Sequence, residues 1–112
     1  MVGLERSDRA DGGHMGVVVL RGRLICANAE EASMVRRHLD RHVNLTRAEP
    51  GCLYFSVEPA DEHYVWQVSE RFEDQQSLDA HQERVRSSEW GRVTAHIKRD
   101  YVIEVVGLDS QA

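Results

Sequence analysis

His81 lies three residues after Leu78 and four before Val85, a spacing that puts all three on one side of a helix. On a buried face, a histidine that titrates near neutrality can meet a substrate hydroxyl and take its proton as a general base. The same position also suits a core histidine held by a backbone carbonyl. Trp66 and Phe72 share the even-numbered face of a strand with Val68, and Phe55 joins them from the strand before. Such aromatics can form the wall of a pocket for a flat ring system or simply a core, and the two have the same composition. His42, on the inward stripe of an earlier helix, can reach the same space from above or line the helix edge.

The other polar candidates are less well placed. His38, His63 and His96 fall off the inward stripes, and no set of His, Cys, Asp and Glu has the spacing of a metal site. Trp90 reads as a core anchor. Glu70 points inward on its strand, and an ion pair with a nearby arginine is its expected role. Arg21 and Arg23 alternate around Gly22 and suit either a bound carboxylate or salt bridges. There is no glycine-rich phosphate loop and no GxSxG elbow, so nucleotide binding and serine hydrolysis have no support.

The elements that must carry these residues run strand, helix, strand, strand, helix, strand. Val17–Cys26 is rich in β-branched residues and reads as a strand. Asn28 caps a helix with Glu31 as its capping-box partner. That helix runs to about Ala48, with Ala32, Val35, Leu39, His42 and Thr46 on one side, and Pro50-Gly51 ends it. Gly51–Glu58 alternates, with Leu53, Phe55 and Val57 facing one way and Cys52, Tyr54, Ser56 and Glu58 the other. A turn at Pro59–Glu62 leads to a strand over His63–Phe72. Asp74 caps the second helix, which carries Leu78, His81 and Val85. Ser87 or Ser88 restarts a helical stretch with Trp90, Val93 and Ile97 inward, and Tyr101–Val106 is the last strand. This order predicts an α+β, ferredoxin-like βαββαβ fold: a four-stranded antiparallel sheet with both helices on one face.

The chain has 112 residues, enough for one modest core, and we expect a single domain over 16–112 behind a flexible leader over 1–15. The formal charge of −5, without a basic stripe, argues against nucleic acid as the main partner. Val17–Leu20, the longest apolar run near the start, is too short for a signal-peptide core or a membrane span, which predicts a cytoplasmic protein without membrane contact. Cys26 and Cys52 form no CxxC and suggest reduced thiols, with a disulfide between them left open. Val17, Val19 and Ile25 need cover on the face away from the helices, and packing two sheets together into a homodimer is the simplest cover.

The stretch EPGCLYFSVEPADEHYVWQVSERFEDQQSLDAH, Glu49–His81, resembles the signature region of the antibiotic biosynthesis monooxygenase family. The matching residues are Glu49, Pro50, Gly51 and Cys52 opening a strand, Glu70, Arg71 and Phe72 closing the next, and Leu78 and His81 on the following helix. The resemblance implies a homodimer whose two sheets form a barrel, with a pocket in each subunit between sheet and helices. It also implies oxidation of a quinol or polycyclic phenol by O₂ without any cofactor, with His81 as base and Trp66, Phe72, Phe55 and His42 around the small aromatic substrate. Similar sequences include haem-degrading enzymes, in which an Asn, a Trp and a haem-ligating His stand where this chain has Gly22, His81 and approximately Trp90; only His96 is left as an axial ligand. They also include isomerases of small signals. A non-catalytic dimeric module that binds a small molecule is the reading from another class.

Overall fold

In a computed structural model, residues 16–107 are described. They form β1 (Gly16–Ile25), α1 (Ala29–Arg47), β2 (Cys52–Pro59), β3 (Val65–Phe72), α2 (Gln75–Arg86), the short α3 (Glu89–Val93) and β4 (Lys98–Gly107). The expected leader over 1–15 lies outside the described residues. The sheet is antiparallel throughout, in the order β2-β3-β1-β4, which is the ferredoxin-like α+β arrangement. No helix among the described residues is long and apolar enough to cross a membrane.

The helix starts follow from side-chain capping. Asn28 Oδ1 accepts from the Glu31 N–H at 2.9 Å, and Glu31 reaches back to the N–H of Ala27 at 2.7 Å, one residue earlier than in the ideal capping box. Asp74 Oδ1 accepts from the Ser77 N–H at 2.8 Å, and Ser88 Oγ accepts from the Gly91 N–H at 3.0 Å. Ala32, Val35, His42 and Thr46 form the buried face of α1. The Arg47 guanidinium donates to the Phe55 carbonyl at 2.9 and 3.1 Å, tying the end of α1 to β2.

Strand register lays out the sheet face under the helices in four rows, with Cys52, Phe72, Val18 and Val105 at one end and three more beside them. Phe55, Glu70, Leu20 and Ile103 form the first of these; Val57, Val68, Gly22 and Tyr101 the second; Pro59, Trp66, Leu24 and Arg99 the third. Gly22 has no substitute in its row: a Cβ there would lie 2.1 Å from the Asp100 carbonyl oxygen and 2.8 Å from Tyr101 Cδ1. The main core joins Leu20, Leu24, Trp66 and Val68 to Ala32, Val35 and Trp90, and a smaller one joins Val18, Phe72 and Leu78. Fully burying a side chain such as Leu24 or Phe72 contributes on the order of 2 kcal/mol.

Several details depart from the sequence reading. A β-bulge between Cys52 and Tyr54 leaves Leu53 outside the ladder and 55% exposed, while Cys52 packs inward against the Val18–Phe72–Leu78 group. Plain alternation puts Leu53 on the side of Phe55 and Cys52 opposite, and the extra residue reverses the two. The third helical stretch stops at Val93; buried Ile97 lies in the turn that follows, and β4 begins at Lys98 instead of Tyr101. Val19 is already buried within one chain, beside Arg71 and Glu104 on the flanking strands. Arg23 makes its salt bridges within the chain, to Glu62 at 3.3 Å and Asp100 at 3.4 Å. Both cysteines are free thiols, and burial pushes their pKa values up. On β4, Val102, Ile103, Val105 and Val106 remain exposed, Val102 most at 63%.

Candidate active site

A cavity of about 370 Å³ lies between the sheet and the helices. Its floor comes from the sheet rows, through Leu20, Leu24, Phe55, Val57, Val68 and Tyr101, with the polar side chains of Glu70 and Arg99 among them. The roof is His42 from α1, His81, Gln82, Val85 and Arg86 from α2, and Trp90 from α3. The walls are thus mostly apolar and aromatic, with a few convergent polar groups, the usual make-up of a small-molecule site.

Helical spacing carries His81 inward beside Leu78, where it is 5% exposed. Its Nδ1 lies 2.7 Å from Glu49 Oε1. A carboxylate oxygen accepts, so Nδ1 carries the proton and Nε2 is left as an acceptor. Glu49 itself sits in the turn after α1, and that turn is pressed onto the first turn of α2. The Gly51 carbonyl accepts from the Glu73 N–H at 2.9 Å, and a Cβ on Gly51 would fall 2.0 Å from Ser77 Oγ. Arg84 donates from Nε to Glu49 Oε2 and from Nη2 to Thr46 Oγ1 at 3.1 Å. Burial lowers the His81 pKa from its ordinary value, and the bond to Glu49 pulls the other way. The ring is therefore a neutral base near pH 7.

Glu70 is 6% exposed, and its Oε1 has no hydrogen-bond partner. The expected ion pair with an arginine does not form. The nearest basic group is His81 Nε2 at 4.0 Å, too long for a hydrogen bond. Burial pushes the Glu70 pKa up to about 7, helped by the charge of Glu49 and opposed by Arg99. His42 lies parallel to Trp90, with ring centroids 4.5 Å apart, and meets the edge of Phe55 at 5.4 Å. Burial drops its pKa to about 3, so it is a neutral ring, and its Nδ1 also has no partner. The Tyr101 hydroxyl is pushed up to about 12 by burial and stays protonated. Arg99 is committed to the chain, donating to the Thr94 and Ile97 carbonyls at 2.6 and 3.0 Å.

The structure brings His81, His42 and Phe55 into one wall. Phe72 lies 5.0 Å from the His81 ring but faces a second cavity, of about 360 Å³, lined also by Glu49, Cys52, Ser77 and Ala80. His81 is the residue common to both walls. Trp66 is in the main core and not in the cavity wall, whereas Trp90 serves both. His38 pairs with Glu89, His63 lies beside Tyr64, and His96 is an exposed partner of Glu31, all away from the cavity. Sequence reasoning missed Tyr101 and Arg99 as lining groups, and used Glu49 only as part of a motif. No group of three or more His, Cys, Asp or Glu among the described residues is arranged to hold a metal ion.

The sequence profile described as antibiotic biosynthesis monooxygenase matches residues 18–92. No curated protein matches the chain closely by sequence. Among solved structures, PA3566 from Pseudomonas aeruginosa superposes with a TM-score of 0.63 at 20% identity, covering 86% of this chain and 97% of its own. Rv0793 from Mycobacterium tuberculosis gives 0.60 at 23% identity, covering 81% and 93%. A Nitrosomonas europaea protein named as a candidate antibiotic biosynthesis monooxygenase gives 0.61 at 17% identity, covering 88% and 94%. At these identities the likeness is one of fold.

Proposed function

We propose, from the premise that this chain belongs to the antibiotic biosynthesis monooxygenase family, that it oxidises an electron-rich phenol or quinol with O₂ in the cavity under His81, using no metal or organic cofactor. The observation that carries this reading is the Glu49–His81 pair, which leaves a neutral imidazole with Nε2 unbonded in the wall of a half-open, largely apolar cavity.

For a phenol with an oxidisable ring carbon, His81 Nε2 takes the hydroxyl proton. The phenolate passes one electron to O₂, and the ring radical and superoxide combine, forming a C–O bond. The resulting peroxide breaks its O–O bond as the carbon loses its hydrogen, leaving a quinone carbonyl and water. One oxygen atom enters the product and the other leaves as water. The four electrons that reduce O₂ all come from the substrate. The protein supplies a base, a dry wall and orientation. Phe55, Trp90 and the neutral His42 ring supply flat surfaces for the aromatic substrate.

The same reading makes the active form a homodimer, with exposed Val102 and Val106 of β4, on the sheet face away from the helices, under the partner's sheet. The test of function is oxygen uptake by the purified protein with a panel of quinols, dihydroxynaphthalenes and anthrones, after chelation of trace metals. Uptake that scales with enzyme and yields the quinone is the expected result. No uptake with any of them leaves the site as a binding pocket and removes the oxygenase reading.

A further inference from the structure

Two buried polar atoms without a partner, Glu70 Oε1 and His42 Nδ1, belong to residues that line the same cavity. A group that forgoes water this completely costs stability unless something fills its hydrogen bond. Glu70 has no role in the proton transfer assigned above. Its Oε1 and His81 Nε2 stand 4.0 Å apart, which is too far to bond directly but spans one oxygen atom at roughly 2.8 Å from each.

We propose that this gap is a hydroxyl-binding site, in which a ligand's un-ionised phenolic O–H donates to His81 Nε2 while its oxygen accepts from the Glu70 carboxylic acid. The inference rests on the reading of the cavity as a phenol site and adds the group that selects the hydroxyl. Donor counting gives the specificity. With Nδ1 held as a donor by Glu49, Nε2 can only accept, so the O–H proton goes there and the ligand oxygen needs a donor opposite. Only the protonated form of Glu70 provides one. A methyl ether cannot donate to Nε2, and an anionic ligand meets the Glu49 and Glu70 carboxyls.

The groups facing Glu70 favour that protonated form. Glu49 and Cys52, from the turn after α1 and the start of β2, and Tyr101 from β4 add no positive charge near it. His81 from α2 and His42 from α1 are held neutral by burial. Arg99 from β4 is the nearby cation that opposes, and its guanidinium is engaged by Thr94 and Ile97. The pKa of about 7 is consistent with this balance.

The test is calorimetric binding of 1-naphthol and of its methyl ether under nitrogen, between about pH 5.5 and 8.5, to the wild type and to Glu70→Gln. The amide keeps a donor but does not titrate. Naphthol should bind the wild type roughly ten- to a hundredfold more tightly than the ether. Its affinity should fall several-fold as the pH rises through 7, and in Glu70→Gln it should be retained and flat over that range. Equal affinity for the ether, no naphthol binding at all, or a fall through pH 7 that persists in Glu70→Gln overturns the inference. The ether comparison uses the wild type alone and decides the matter even if the variant does not fold. Naphthol binding with this selectivity, together with no oxygen uptake across the phenol panel, leaves the hydroxyl site standing and removes only the oxygenase reading.

Discussion

Glu49 and His81, 32 positions apart in the chain, meet with Oε1 2.7 Å from Nδ1 because the turn after α1 is docked against the start of α2. Arg84, itself braced by Thr46 Oγ1, holds the far side of the carboxylate, so the ring is oriented from behind and only Nε2 is free for the cavity. A carboxylate that fixes the tautomer and steadies the imidazolium is the standard support for a histidine base.

Glu49→Gln is therefore expected to lower turnover about tenfold or more while leaving phenol affinity nearly unchanged at the acid end of the range, where Glu70 is protonated with or without the Glu49 charge. Glu49 raises the His81 pKa against the downward pull of burial, so its loss shifts the His81 titration to lower pH. Nuclear magnetic resonance of the ring protons reads that shift, which a merely structural carboxylate would not produce in step with kcat.

His81→Ala is expected to cost roughly a hundredfold or more in turnover in a protein that still folds, with a lowered melting temperature because Glu49 loses its partner and a void opens. If His81 is only a packed core residue, the variant keeps its activity and loses about 1–3 kcal/mol of stability. Oxygen uptake and thermal unfolding measured together, with Trp66→Phe as the core control, separate the two.

The buried titratable groups give the stability an unusual pH profile. Glu70 goes from 4.5 to about 7 on folding, so its contribution is full below 4.5 and is lost as the pH rises through 7. His42 goes from 6.5 to about 3, so its contribution is full above 6.5 and is lost as the pH falls towards 3. Between 4.5 and 6.5 the two oppose each other. Glu70→Gln should expose the His42 slope across that window and make the protein more stable near about pH 8, by up to about 3 kcal/mol. Urea unfolding at a series of pH values checks this, and a variant no more stable than wild type at the alkaline end contradicts it.

The exposed residues of β4 predict a dimer. Light scattering at micromolar concentration should return twice the 12.8 kDa chain mass, with an interface of at least roughly 1,600 Å². Val102→Glu, at the most exposed of these positions, should return the single-chain mass. A wild-type monomer defeats the barrel assembly.

Much of this was legible in the sequence because periodicity and capping are local. Asn28, Asp74 and Ser88 announce their helices, and the stripes through His42 and His81 fix which side of each helix is buried. Glu49 was not legible as a site residue, since a carboxylate beside Pro50-Gly51 belongs to no repeat and acquires its role only when two distant turns dock. Glu70 was placed inward correctly, but strand alternation says nothing about what a side chain meets there. The exchange of Cys52 and Leu53 has the same origin, because one inserted residue inverts a two-residue period without any change in composition. Trp66 shares Glu70's sheet face and a row with Leu24 and Arg99, which reach the cavity, but its own side chain packs into the main core with Ala32 and Val35.

His81 is also a bulkhead. Because it is the one side chain shared by the two voids, cutting it back to alanine opens a doorway between chambers of about 370 and 360 Å³. The vacated space has the outline of an imidazole ring, already furnished with the Glu49 oxygen at one end and the Glu70 oxygen at the other. Free imidazole added to that variant can occupy the gap as a detached base and restore part of the lost turnover. Ligands too long for the first chamber gain a second room to extend into.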